Sequence, residues 1–229
     1  MKNDNSARAS IAVIVGAPGS GKSSSVNVAV RASEPDRLLV FDPGEDYTEY
    51  GTVFRDCKSL YQHLIKAGQG PFSAVLCPSD DQERERGQFN EFCLMAFAVG
   101  RLLVVADELE DVMTATWSPA GWRRLVRKGR KRNVKIIGAS QRPAGIEKRL
   151  WAFANVVRSG FLEYDEDAAV LASRLRVSPD ELKALPALSW VQWSREKQAV
   201  TRGRIEYRSG RPHEVVTSEK IFSPPGASS

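Results

Sequence analysis

Apolar residues in this chain cluster into short runs at 11–15, 37–41, 72–77, 102–106 and 134–139, followed by a more mixed stretch at 155–162. Continuous runs, as opposed to alternating ones, suit strands buried on both faces of a parallel sheet. Helical patterns lie between them. Residues 22–32 are helix-compatible, 59–67 put Leu60, Leu64 and Ala67 on one face, and 82–99 start charged and end apolar. Within the last of these, Glu83-Arg-Glu-Arg86 reads as a salt-bridged helix surface. A basic helix precedes the run at 134–139, and residues 109–121 read as a loop. Ser178-Pro179-Asp180-Glu181 is a helix start, with Ser as N-cap, Pro in the first turn and Glu three residues after the cap. Residues 189–193 and 199–207, separated by a charged turn, predict a closing β-hairpin. Strands alternating with helices define an α/β fold with a mainly parallel sheet. Residues 1–9 form an N-terminal arm, 10–207 one domain, and 208–229, rich in Pro, Gly and Ser, a flexible C-terminal tail.

Length and composition then exclude several classes. At roughly 150 residues per domain, 229 residues make one large domain with appendages. A hydrophobic share of 42 % is enough for a core and excludes global disorder. The longest apolar stretch, 92–106, is broken by Gly100 and Arg101 and falls short of the ~20 residues that span a bilayer. The N-terminus lacks a signal-peptide pattern, so the chain is expected to be soluble and not secreted. Cys57, Cys77 and Cys93 are far apart and odd in number, and His63 and His213 make no ligand pair, which argues against disulfides and a structural metal.

The candidate chemistry begins at Gly16-Ala17-Pro18-Gly19-Ser20-Gly21-Lys22-Ser23, a complete G-x-x-x-x-G-K-[ST] phosphate loop between a predicted strand and helix. Its glycines let backbone amides wrap a phosphate, and the helix N-terminus adds positive potential. Lys22 is positioned to reach β- and γ-phosphates, Ser23 to ligate Mg²⁺, and Ser24 extends the binding segment. Asp107 and Glu108 end the run at 102–106. Asp107 suits a Mg²⁺ contact and Glu108 the activation of a water, a pairing that favours hydrolysis over transfer to a small acceptor. Gln141 ends the next run, where an amide can sense a γ-phosphate; a polar residue that merely ends the strand before Pro143 fits equally well. Between Trp122 and Lys135 stand eight basic residues and no acid, with Arg123, Arg127 and Arg130 aligned at helical spacing. A solvated face, a DNA-backbone patch and an arginine offered to a neighbouring subunit remain open, although uncompensated charge of this density favours an anion nearby.

Together these residues resemble the FtsK–HerA superfamily of DNA-pumping ATPases from about Ile11 to Glu206. The most specific sign is Ala139-Ser140-Gln141-Arg142-Pro143, similar to the Thr-Gln-Arg-Pro ending of that superfamily's sensor strand. The segment from Arg37 to Pro43, followed by Glu49-Tyr50, looks like the second strand of HerA-type proteins. The resemblance implies a RecA-like P-loop NTPase fold, ATP and Mg²⁺ as cofactors, Gln141 as sensor and Arg130 as a finger acting in trans, with Arg127 or Arg132 as alternative registers. It also implies a ring, expected to be a hexamer, working on double-stranded DNA. A single compact module looks like the genome-packaging ATPases of tailless, membrane-containing icosahedral bacteriophages. That implies filling of a preformed procapsid, partners at the packaging vertex or membrane, and residence in the host cytoplasm and at the virion vertex. A conjugative or mobilisation ATPase and a small-molecule P-loop kinase are the alternatives. A filamentous-phage assembly ATPase would normally carry a membrane span.

Overall fold

The computed structural model describes residues 11–222, and in it strands and helices alternate. In chain order the elements are β1 (Ile11–Val15), α1 (Lys22–Ser33), β2 (Arg37–Phe41), β3 (Thr52–Phe54), α2 (Cys57–Ala67), β4 (Phe72–Leu76), α3 (Gln82–Val99), β5 (Leu102–Ala106), α4 (Leu109–Val112), α5 (Ala120–Lys128) and β6 (Val134–Ser140). They continue as α6 (Lys148–Phe153), β7 (Val156–Ser159), α7 (Asp165–Leu175), α8 (Pro179–Lys183), β8 (Ser189–Ser194), β9 (Ala199–Arg208) and β10 (Arg211–Ile221). The residues form two compact units. One comprises Glu34–Ala139 and Gly145–Phe153, and the other Ala12–Ser33, Ser140–Ala144 and the chain from Ala154 onward.

In the first unit the strands lie in the order β6-β5-β2-β4-β3, all parallel. Every residue of β2 and β5 is buried, which is why these strands read as unbroken apolar runs. Phe41 from β2 meets Phe89 of α3 at 4.9 Å between ring centroids, and Phe89 meets Trp122 of α5 at 5.4 Å. Helix α3 buries Glu85, Phe89, Phe92, Cys93 and Ala96, a spacing of three to four residues that places Glu85 on the core stripe. The exposed surface expected for 83–86 is therefore corrected at Glu85.

In the second unit β1 pairs in parallel with β7, and β7, β8, β9 and β10 follow as an antiparallel series. The predicted hairpin is β8–β9, and the predicted cap is present, with Ser178 Oγ accepting from the Glu181 amide at 3.1 Å. The tail expectation is corrected over 211–221, which form β10. Ser209 (φ 51°) and Gly210 (φ 74°) make a two-residue turn with both φ positive, the type whose twist matches paired strands. The Ser-Gly pair was the available signal. Residues 1–10 and 223–229, which hold the expected arm and the end of the expected tail, lie outside the described residues. Among the described residues no helix is long and apolar enough to cross a membrane.

Candidate active site

The phosphate loop belongs to the second unit. Its first residues are pinned by backbone bonds: Gly16 N to Ser140 O at 3.2 Å and Ala17 N to Phe161 O at 2.9 Å. Gly19 (φ 77°) and Gly21 (φ 92°) take left-handed conformations that residues with a Cβ adopt at a cost. At Gly16 a Cβ would stand 2.3 Å from Ser20 Oγ and 3.0 Å from Ser20 Cβ, so a side chain there would have to displace Ser20. Pro18 and Gly19 are exposed at the tip, and α1 starts at Lys22, which like Ser24 is 9 % exposed. The result is a turn of amides opening on a helix N-terminus, a cradle for an anion. Gln141 follows Ser140, the residue that accepts from Gly16, so the predicted sensor adjoins the start of the loop. Buried Asp167 of α7 brackets it on the other side, accepting from Arg142 Nε at 2.7 Å and from the Ala144 amide at 2.8 Å. The Arg142 guanidinium also lies 4.2 Å from the Tyr164 ring centre. Nothing in the local sequence signals Asp167, which is 25 residues from Arg142.

The carboxylate pair belongs to the first unit, at the carboxyl end of β5. Asp107 is 2 % exposed, and its amide donates to Phe41 O at 3.1 Å. Its Oδ1 accepts from the Glu108 amide at 2.8 Å and its Oδ2 from the Tyr47 hydroxyl at 3.0 Å. Tyr47 is held by Asp42 at the end of β2, whose Oδ2 accepts from the Tyr47 amide at 2.8 Å. Burial pushes the Asp42 carboxyl up to about 6, against the pull of the Tyr47 and Asp46 amides and aided by the Asp107 charge. Glu108 sits at φ 48° and ψ 50°, a left-handed conformation in a residue that has a Cβ. The Asp107 carboxylate supplies hard oxygen donors of the kind Mg²⁺ takes.

Glu85 lies in the same unit. Burial first, and then the Asp111 charge, push its carboxyl up to about 7. The unfolded chain releases that proton near the ordinary 4.5, so the folded state binds more protons between these values. Stability from this group is therefore greatest below about 4.5 and is lost as pH rises to about 7. Glu85→Gln, which is neutral throughout, is expected to melt close to wild type at pH 4.5. At pH 8 it should be the more stable protein, by at most about 3 kcal/mol. Thermal melts at the two pH values check both the sign and the size.

The basic segment divides. Arg123 Nη1 donates to Ser118 O, and the Arg124 guanidinium lies 4.4 Å from the centre of the Phe97 ring. Arg132 donates to Phe97 O at 3.3 Å and to Ala98 O at 2.6 Å, capping the carboxyl end of α3. That use disfavours Arg132 as a finger. Helix α5 ends at Lys128, and Arg130 stands exposed on a 3₁₀ turn, Gly129–Arg132, so the expected alignment of Arg123, Arg127 and Arg130 on one helical face does not form. Arg130 lies just before Val134, which pairs with Leu102 at the start of β5, whereas Asp107 follows the end of β5. A five-residue strand separates the two edges by about 16 Å.

The chain is 31 % identical over 177 residues to "Protein P9" of Pseudoalteromonas phage PM2, covering 76 % of this chain and 78 % of that protein. No family model matches it. Among solved structures, the genome packaging NTPase B204 of Sulfolobus turreted icosahedral virus 2 with ATP-gammaS superposes at a TM-score of 0.62 and 13 % identity, over 84 % of this chain and 95 % of that one. VirB4 of Thermoanaerobacter pseudethanolicus superposes at 0.58 and 12 % identity, over 93 % and 90 %. At these identities the structures establish a shared P-loop NTPase fold.

Proposed function

Because this chain belongs to the family of protein P9 of phage PM2 and shares the P-loop NTPase fold of B204 and VirB4, we propose that it is an ATPase of the FtsK–HerA kind, a genome-packaging motor that drives double-stranded DNA into a preformed procapsid by hydrolysing ATP. The observation that carries this reading is the intact loop at the β1–α1 junction, with Gly19 and Gly21 in left-handed conformations and Lys22 opening α1. In the proposed chemistry the amides of residues 16–21 and Lys22 hold the phosphates. Ser23 and Asp107 hold the Mg²⁺ that neutralises phosphate charge, and Glu108 takes a proton from the attacking water. Gln141, fixed between the loop and the Asp167 bracket, registers the γ-phosphate. Arg130 acts on the nucleotide of a neighbouring subunit, consistent with its place at the sheet edge away from Asp107. The trans role requires adjacent copies, which we propose form a closed ring, a hexamer, with proteins of the packaging vertex or membrane as its partners. It works in the host cytoplasm and at the virion vertex.

Packaging is preferred over conjugative transfer because the relative sharing 31 % identity is a phage protein. A small-molecule kinase would make a phosphorylated product. The test is ATP hydrolysis by the purified chain with and without long double-stranded DNA. Stimulation by DNA that fades as salt rises is expected, since phosphate contacts release counterions, together with loss of turnover in Lys22→Ala. Turnover indifferent to DNA, with phosphate transferred to a nucleoside, would overturn it.

A further inference from the structure

We propose that Tyr207 forms the wall of the nucleotide site against which the base stacks. The inference rests on the reading of residues 16–24 as a nucleotide site and concerns a part of it that the loop motif does not encode. Tyr207 is near the end of β9, 183 residues from Ser24, yet its hydroxyl lies 2.6 Å from Ser24 Oγ. Ser24 directly follows Ser23 on the first turn of α1. The same strands reach the loop a second time through Leu188. Its amide donates to Ser20 O at 3.2 Å, its carbonyl accepts from the Ile205 amide at 2.8 Å, and its Cδ2 lies 3.0 Å from where a Cβ on Gly21 would be.

Strand periodicity puts Ile205 and Tyr207 on one face of β9. Ile205 is 3 % exposed, in the core, and Tyr207 is 54 % exposed, so at Tyr207 that face has passed the core and borders the loop in the open. A ring this exposed contributes little to packing. Its hydroxyl, bonded to Ser24, keeps the ring beside the first turn of α1, and a ring already kept there loses less freedom when a base stacks on it. The two ends of the loop also differ. Gly16 is bonded to Ser140, beside Gln141, whereas Ser24 is bonded to Tyr207. A nucleotide that presents its terminal phosphate to Gln141 carries its nucleoside the other way, toward Ser24 and the Tyr207 ring.

The test compares a ligand that has a base with one that has none. Binding of ADP and of inorganic tripolyphosphate, each in Mg²⁺ buffer, is measured by calorimetry for the full chain and for Tyr207→Ala, Tyr207→Phe and Lys22→Ala. Stacking on an aromatic side chain predicts that Tyr207→Ala weakens ADP binding about tenfold and leaves tripolyphosphate within twofold of wild type. Tyr207→Phe, which keeps the ring, should retain most of the ADP affinity, and Lys22→Ala should lose both ligands. The proposal is overturned if Tyr207→Ala binds ADP as wild type does, or if it loses ADP and tripolyphosphate equally. If the wild-type chain binds neither ligand, the phosphate-site reading fails and takes the proposal with it. If it binds both ligands and Tyr207→Ala leaves both unchanged while Lys22→Ala loses both, the reading stands and the base wall alone fails.

Discussion

Arg130→Ala is expected to lower ATP turnover by about 10³-fold or more while leaving nucleotide binding within a few-fold of wild type. An arginine that neutralises transition-state charge on the transferred phosphoryl group is worth on the order of 10³–10⁵ in rate. Arg130 stands on an exposed 3₁₀ turn at the edge of the first unit's sheet, with a five-residue strand between it and the edge that carries Asp107 and Glu108. It is therefore poorly placed to serve the nucleotide of its own Asp107 and well placed to be offered to a neighbour. Specific activity should consequently rise with protein concentration. Mixing Arg130→Ala with Lys22→Ala should partly restore turnover, because one interface in such a mixture joins an intact loop to an intact arginine. Steady-state rates over a range of concentrations, for each variant and for the mixture, check this. Concentration-independent turnover with a normal Arg130→Ala would remove the trans role, and Arg127→Ala would then be the next variant to measure.

Glu108→Gln is expected to reduce turnover 10²–10⁴-fold, the usual worth of a positioned proton acceptor, with ATP still bound. The amide keeps the size of the side chain and cannot take the proton of an attacking water. Folding should be unaffected, since Gln meets the same left-handed backbone, φ 48° and ψ 50°, that Glu does. Glu108→Gly separates the two roles of this position. Glycine accepts the left-handed conformation without the ~1 kcal/mol that a Cβ costs there, so its melting temperature should rise by about 2–4 °C while activity is lost as in Glu108→Gln. Paired melts and single-turnover rates check both signs. A Glu108→Gln protein that turns over normally would show that the water loses its proton elsewhere.

Much of this protein was legible in order along the chain. The phosphate loop was, because its function resides in backbone amides and glycine torsions that eight consecutive residues specify without outside help. So were β2 and β5, because strands buried on both faces need no polar residue, and the cap at Ser178, because it closes within three residues. Strand β10 and the burial of Glu85 were also written locally, in the Ser209-Gly210 turn and in the spacing from Glu85 to Phe89. Composition masked both: a polar stretch reads as a tail, and a charged one as a surface.

What the tertiary structure decided were the pairings between distant residues. Tyr47 meets Asp107 60 positions away, Asp167 meets Arg142 25 positions away, and Tyr207 meets Ser24 183 positions away. It also decided which arginines of the basic segment are used within the chain, because Arg124 and Arg132 meet residues of α3 that α5 and the following turn reach only in the folded state. A hydroxyl or guanidinium carries no mark in the sequence of the partner it will find. Short-range rules for helices, turns and loops act over a few residues, whereas these contacts exist only once packing of the apolar strands has brought distant segments of the chain together.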